Sequence, residues 1–118
     1  MNNQDIRNIS HHWENYICDK YNLKFINDKY DAVDDDGNKI EIKSCLEYYR
    51  TGNTIRTGRF HFKSTEKNMD LKYFFIVYDE HMNIKYEWIL TSQQIRKHFK
   101  LNHNDQKFSW KKLLRIIR

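Results

Sequence analysis

Residues 30–44, Tyr-Asp-Ala-Val-Asp-Asp-Asp-Gly-Asn-Lys-Ile-Glu-Ile-Lys-Ser, constrain this chain more than any other stretch. Asp35, Asp36 and Gly37 read as a three-residue hairpin turn, with Gly37 free to take a positive φ. The register that follows sets Asp34 opposite Asn38, Val33 opposite Lys39 and Asp31 opposite Glu41. Side chains alternate along a strand, so Asp31, Glu41 and Lys43 share one face while Ala32, Ile40 and Ile42 share the other. A two-residue loop would shift the pairing by one and separate Asp31 from Glu41. Ile40 and Ile42 decide between the two, because they need a core and leave Glu41 and Lys43 at the opposite surface. Two carboxylates placed directly opposite each other cost about 0.2–1 kcal/mol, so a cation belongs between them.

The rest of the chain has to supply a sheet for this hairpin. With 118 residues, no proline and three glycines, the sequence reads as one domain over 1–118 with a single modest core. Aromatics at 15% provide the interior. Cys18 and Cys45 stand far apart and outside any metal-ligand spacing. They could form one disulfide, but two buried thiols in a reducing cytoplasm are the expected state. The N-terminus is polar and no apolar run approaches the ~20 residues of a membrane span, so a soluble, cytoplasmic protein is expected. Net charge is +5 and unevenly spread: residues 28–47 carry seven acids against three lysines, and residues 95–118 carry eight Lys/Arg against Asp105. Such asymmetry suits ordinary solvated surface or a metal-dependent enzyme acting on a polyanion.

Ile6, Ile9, Trp13, Tyr16 and Ile17 recur at helical spacing and predict a first helix over 3–21, capped by Asn2 or Asn3. Glu14 borders its apolar stripe, either solvated or leaning toward whatever the helix covers. His11 and His12 point ~100° apart on a helix and read as surface or nucleic-acid-facing residues. Leu23–Ile26 is a short strand, and the second hairpin arm continues through Tyr49. Residues 50–59 form a polar loop with Arg50, Arg56 and Arg59, suited to clamping phosphates or to a plain basic surface. Arg59–Lys63 alternates as a half-buried strand with Phe60 and Phe62 inward. Ser64 caps a short helix to Asp70 that holds Glu66 in its early turns. Residues 72–79 form a strand buried on both faces, and 84–90 a second strand beside it. A helix capped by Thr91 or Ser92 runs to Phe99, a loop spans 102–105, and a last helix spans 108–117 with Lys111, Lys112, Arg115 and Arg118 outside.

Asp31, the ten-residue step to Glu41-Ile42-Lys43, and this order of elements resemble the PD-(D/E)xK nuclease superfamily, which includes restriction enzymes and archaeal Holliday-junction resolvases. The resemblance covers about Asp5 to Asp79. Tyr30 stands where the family often has proline, a position that touches no metal. The fold implied is α/β: a restriction-endonuclease-like core with an αβββαβ mixed central sheet flanked by helices, plus an extra strand and two C-terminal helices.

The resemblance also implies a metal-dependent DNA endonuclease of restriction, repair or junction-resolving type. Asp31, Glu41 and the Ile42 carbonyl would ligate Mg²⁺ or Mn²⁺. Lys43 would orient water and stabilise transition-state charge, and Glu14 matches the helix acid that many members bring to the metal. Arg50, Arg56, Arg59, His61 and Lys63 would contact nucleic acid. So compact a chain would recognise DNA structure or ends, or act as a homodimer or a subunit of a larger nuclease complex. The alternatives are a catalytically inactive nucleic-acid-binding or accessory subunit and a protein-interaction module. Carboxylates facing phosphate argue against a mere binder.

Overall fold

The computed structural model describes residues 3–26 and 28–117, without the side chain of Asn3. The expected caps Asn2 and Asn3 and the outward position of Arg118 therefore lie outside the described residues. Helix α1 (Asn3–Tyr21) leads into β1 (Lys24–Phe25), β2 (Ala32–Val33) and β3 (Lys39–Leu46). β4 (Tyr48–Thr51), β5 (Thr54–Thr57) and β6 (Arg59–Phe62) follow, then a 3-10 turn over Ser64–Asn68. β7 (Lys72–Tyr78), β8 (Ile84–Thr91), α2 (Ser92–Arg96), β9 (Gln106–Ser109) and α3 (Trp110–Leu114) complete the order, closed by a 3-10 turn at Arg115–Ile117.

The main sheet has five strands in the order β1-β2-β3-β7-β8 and is mixed: β3 and β7 run parallel, and the other neighbours run antiparallel. The apolar run of β7 is buried on both faces, as a central strand requires. Phe74, Ile76 and Tyr78 join Ile40, Ile42 and Ala32 beneath Trp13 and Ile17 of α1. Tyr73, Phe75 and Val77 face the other way, into a larger cluster with Phe60, Phe62, Trp88, Trp110 and Leu113. Cys18 and Cys45 are free, buried thiols, one in each cluster. No helix among the described residues is long and apolar enough to cross a membrane.

Several local expectations change. The helix expected from Ser64 to Asp70 is only a 3-10 turn ending at Asn68, with Lys63 rather than Ser64 at its N-cap. The Ser64 N–H instead donates to Asp105 Oδ1 at 2.8 Å. The crossover between the parallel strands is therefore built mainly of β-structure, not the helix of an αβββαβ core. The arm after Leu46 breaks at Glu47, whose N–H donates to the Tyr78 carbonyl at 2.7 Å. What reads as a phosphate-wrapping loop folds as the β4–β5 hairpin, with Gly52 at a positive φ of 60° in its turn. Gln106–Ser109 pairs antiparallel with β6, so the last helix, expected from Phe108, starts instead at Trp110, where Ser109 Oγ accepts the Lys111 N–H. α2 ends at Arg96, short of Phe99, behind a reciprocal cap between Thr91 and Gln94.

Candidate active site

The hairpin fixes the site. Ala32 pairs with Ile40 and Val33 with Lys39, and the Asp34 N–H donates to the Asn38 carbonyl at 3.2 Å. These pairs are those of a three-residue turn, and Gly37 has φ 81°. Asp34 is consumed by the turn: its Oδ1 accepts the N–H groups of Asp36 (3.0 Å) and Asn38 (2.9 Å), and its Oδ2 accepts from Asn38 Nδ2 (2.9 Å). An acid that closes its own turn in this way is not free for a ligand.

Asp31 departs from the strict register. Its N–H donates at 2.9 Å to the carbonyl of Ile40, the residue paired with Ala32, so the ladder ends one position short of an Asp31–Glu41 pair. The side chain nevertheless crosses to β3. Asp31 Oδ2 accepts the Ile42 N–H at 2.7 Å, and the Asp31 carboxylate lies against the Glu41 carboxyl, which donates to it when protonated.

Glu41 and Lys43 are not at an open surface, as the alternation alone implies. Each is less than a tenth exposed, because β6 and the elements packed on it cover that face of the sheet. Burial pushes the Glu41 carboxyl up to about 9, helped by its hydrogen bond to Asp31 and by the charges of Asp31 and Glu66; Lys43 pulls the other way. Lys43 Nζ lies 3.9 Å from Glu41 Oε2. It donates to the His61 carbonyl at 2.6 Å and to Glu66 Oε2 at 3.0 Å, and sits 4.8 Å above the Phe62 ring.

Glu14, on α1, is half-buried. Its carboxyl is raised by burial first and by the Asp31 charge second, with His11 and Lys63 opposing. The helix acid therefore shares the electrostatic environment of Asp31. Lys63 joins it from the end of β6, while His61 and Arg59 point away from the core. The His61 ring pairs with Asp105 at 3.2 Å, and only its backbone carbonyl belongs to the site. Arg50 and Arg56 are exposed on the β4–β5 hairpin, and the pairs Arg50–Ile55 and Tyr49–Arg56 put them on opposite faces of that ribbon. They do not form a single phosphate clamp.

Glu66 is the residue the sequence conceals. It is 1% exposed and fully engaged: Oε2 accepts the Lys63 N–H at 2.7 Å as well as Lys43, and Oε1 accepts the Tyr73 hydroxyl at 2.8 Å. Its spacing three residues after Lys63, that of a reciprocal helix cap, is the one signal in the sequence.

Among the described residues, no three His, Cys, Asp or Glu side chains converge closely enough to hold a metal by themselves. What the site offers is an apposed pair of carboxylates, one of them buried and driven toward its protonated form. Such a pair is relieved by a hard cation and suits Mg²⁺ or Mn²⁺, with water and substrate oxygens completing the shell.

A mixed sheet whose hairpin strand carries a carboxylate and a lysine two residues apart, beside a second acid, defines a nuclease-like α/β protein. The family comparison is more specific: the model of the PD-(D/E)XK nuclease superfamily domain matches residues 2–113, and the chain belongs to that superfamily. No curated protein matches it.

Proposed function

We propose that residues 1–118 act as one domain, a metal-dependent endonuclease that hydrolyses phosphodiester bonds in DNA. The observation that carries this reading is the contact of the Asp31 and Glu41 carboxylates beside the Lys43 ammonium. Asp31, Glu41 and the Ile42 carbonyl would hold Mg²⁺ or Mn²⁺. When bound, the ion supplies Lewis-acid polarisation of the scissile phosphate and activates water for attack.

The chain's own residues do the rest. The Ile42 N–H holds Asp31 in one orientation, so the acid meets the ligand without a rotamer search. Glu41 would hold the ion as a carboxylate, so binding would displace the proton that burial favours. Lys43 donates to the oxygens on which charge develops during in-line attack, from a site that excludes most water. Glu14 adds a negative charge next to Asp31 and supports a divalent over a monovalent cation. Lys63, exposed near Glu14, would meet the DNA backbone beside the site, with Arg59 and His61 farther out on the exposed face of β6.

The test is incubation of supercoiled, branched and single-stranded DNA with Mg²⁺ or Mn²⁺, with chelator as control. Cleavage by the wild-type chain that is lost in Asp31→Ala and Lys43→Ala is expected. No cleavage of any substrate, or undiminished cleavage by either variant, contradicts the proposal.

A further inference from the structure

We infer that Glu66 is a positioning residue for Lys43: together with the His61 carbonyl, its carboxylate engages two of the ammonium's three N–H bonds and leaves the third for a phosphodiester oxygen. This rests on the nuclease reading above. A lysine ammonium has three donors and a long, flexible stem, so alone it would search many rotamers before each turnover. Here His61 O at 2.6 Å and Glu66 Oε2 at 3.0 Å take up two donors, while Phe62 lies under the charge at 4.8 Å.

Glu66 is itself immobilised from the far side. The Tyr73 hydroxyl donates to Oε1 and the Lys63 N–H to Oε2, so neither oxygen can rotate away. Tyr73 is fully buried in β7, its hydroxyl proton held by burial and by the Glu66 charge, and it remains a donor. The chain of contacts runs from the rigid centre of the sheet, through a glutamate on a short turn, to the lysine.

Stability does not explain this arrangement. A buried ion pair seldom outperforms apolar side chains of the same volume, because both charges lose their hydration. What the pair does supply is direction: it fixes Nζ within 3.9 Å of Glu41 Oε2, at the carboxylate pair where the reaction is assigned.

The experiment is a double-mutant cycle on Glu66→Gln and Lys43→Met, read in single-turnover cleavage and in thermal melting. Glutamine keeps the shape of Glu66 but cannot neutralise the ammonium. If Glu66 acts through Lys43, Glu66→Gln lowers kcat by about 10–100-fold with KM for DNA unchanged. In melting, each single variant leaves one buried charge alone and lowers Tm, while the double variant melts above both. Wild-type kcat in Glu66→Gln overturns the positioning role even where wild type cleaves and Lys43→Met does not. A double variant that melts no higher than either single one overturns the pair itself, a result independent of activity. A wild-type chain that cleaves no DNA overturns the nuclease reading, and the positioning role with it.

Discussion

The Oδ2 atom of Asp31 accepts the backbone N–H of Ile42 at 2.7 Å, tying the acid before the turn to the strand after it. This one bond spans the hairpin and separates two roles within a run of aspartates. Asp31 reaches across to β3 and meets Glu41, whereas Asp34 folds back on Asp36 and Asn38.

The two aspartates should therefore fail differently. Asp34→Ala removes acceptors from the turn and is expected to lower the melting temperature by about 4 °C, leaving metal-dependent cleavage intact. Asp31→Asn should keep the fold and lose both cleavage and the heat of Mn²⁺ binding in calorimetry. Loss of cleavage in Asp34→Ala at a temperature where it is folded would reverse the assignment.

Glu41 should make the protein less stable as pH rises. Its carboxyl is held near 9 when folded, by burial and Asp31, against 4.5 when free. Between those values the unfolded chain has released a proton that the folded chain keeps, so stability falls with pH across that window. The contribution is fully present below the lower value and lost by the upper. Melting curves from pH 5 to 9 should show the decline in wild type and a flatter profile in Glu41→Gln, which is isosteric and cannot ionise. Added Mn²⁺ should reverse the trend in wild type alone, because it stabilises the ionised form.

Gly58 is required by close approach rather than by its φ. A Cβ there would overlap the carbonyl oxygen of Leu46, while the Gly58 N–H donates to the Glu47 carbonyl at 3.0 Å and its carbonyl accepts the Trp110 N–H at 3.2 Å. Gly58→Ala is expected to cost about 1–3 kcal/mol in denaturant melts, since the backbone around β3 and α3 must move. An unchanged midpoint would contradict that packing.

The hairpin was legible because two isoleucines and a glycine turn leave only one register that buries Ile40 and Ile42. The β7 strand was legible for a similar reason: a run of aromatic and β-branched residues needs cover on both faces. The covering of Glu41 and Lys43 was not, since it depends on β6 pairing with β9 from the far end of the chain. Phe108 looked helical beside Trp110 and Leu113, yet Phe62 and Phe99 draw it into a strand and an aromatic cluster. The role of Glu66 was hidden by the same fact, because local spacing describes a cap and says nothing about burial. The small departure of Asp31 from the ladder lies beyond what alternation can resolve, since one shared carbonyl decides it.

The central claim is that Asp31 and Glu41 hold a divalent cation between them. The most direct measurement is anomalous diffraction from a crystal soaked in Mn²⁺. A peak in contact with both carboxylates, absent in Asp31→Asn, is the expected result. A well-ordered site with no peak there, or a peak only elsewhere on the molecule, would contradict the account.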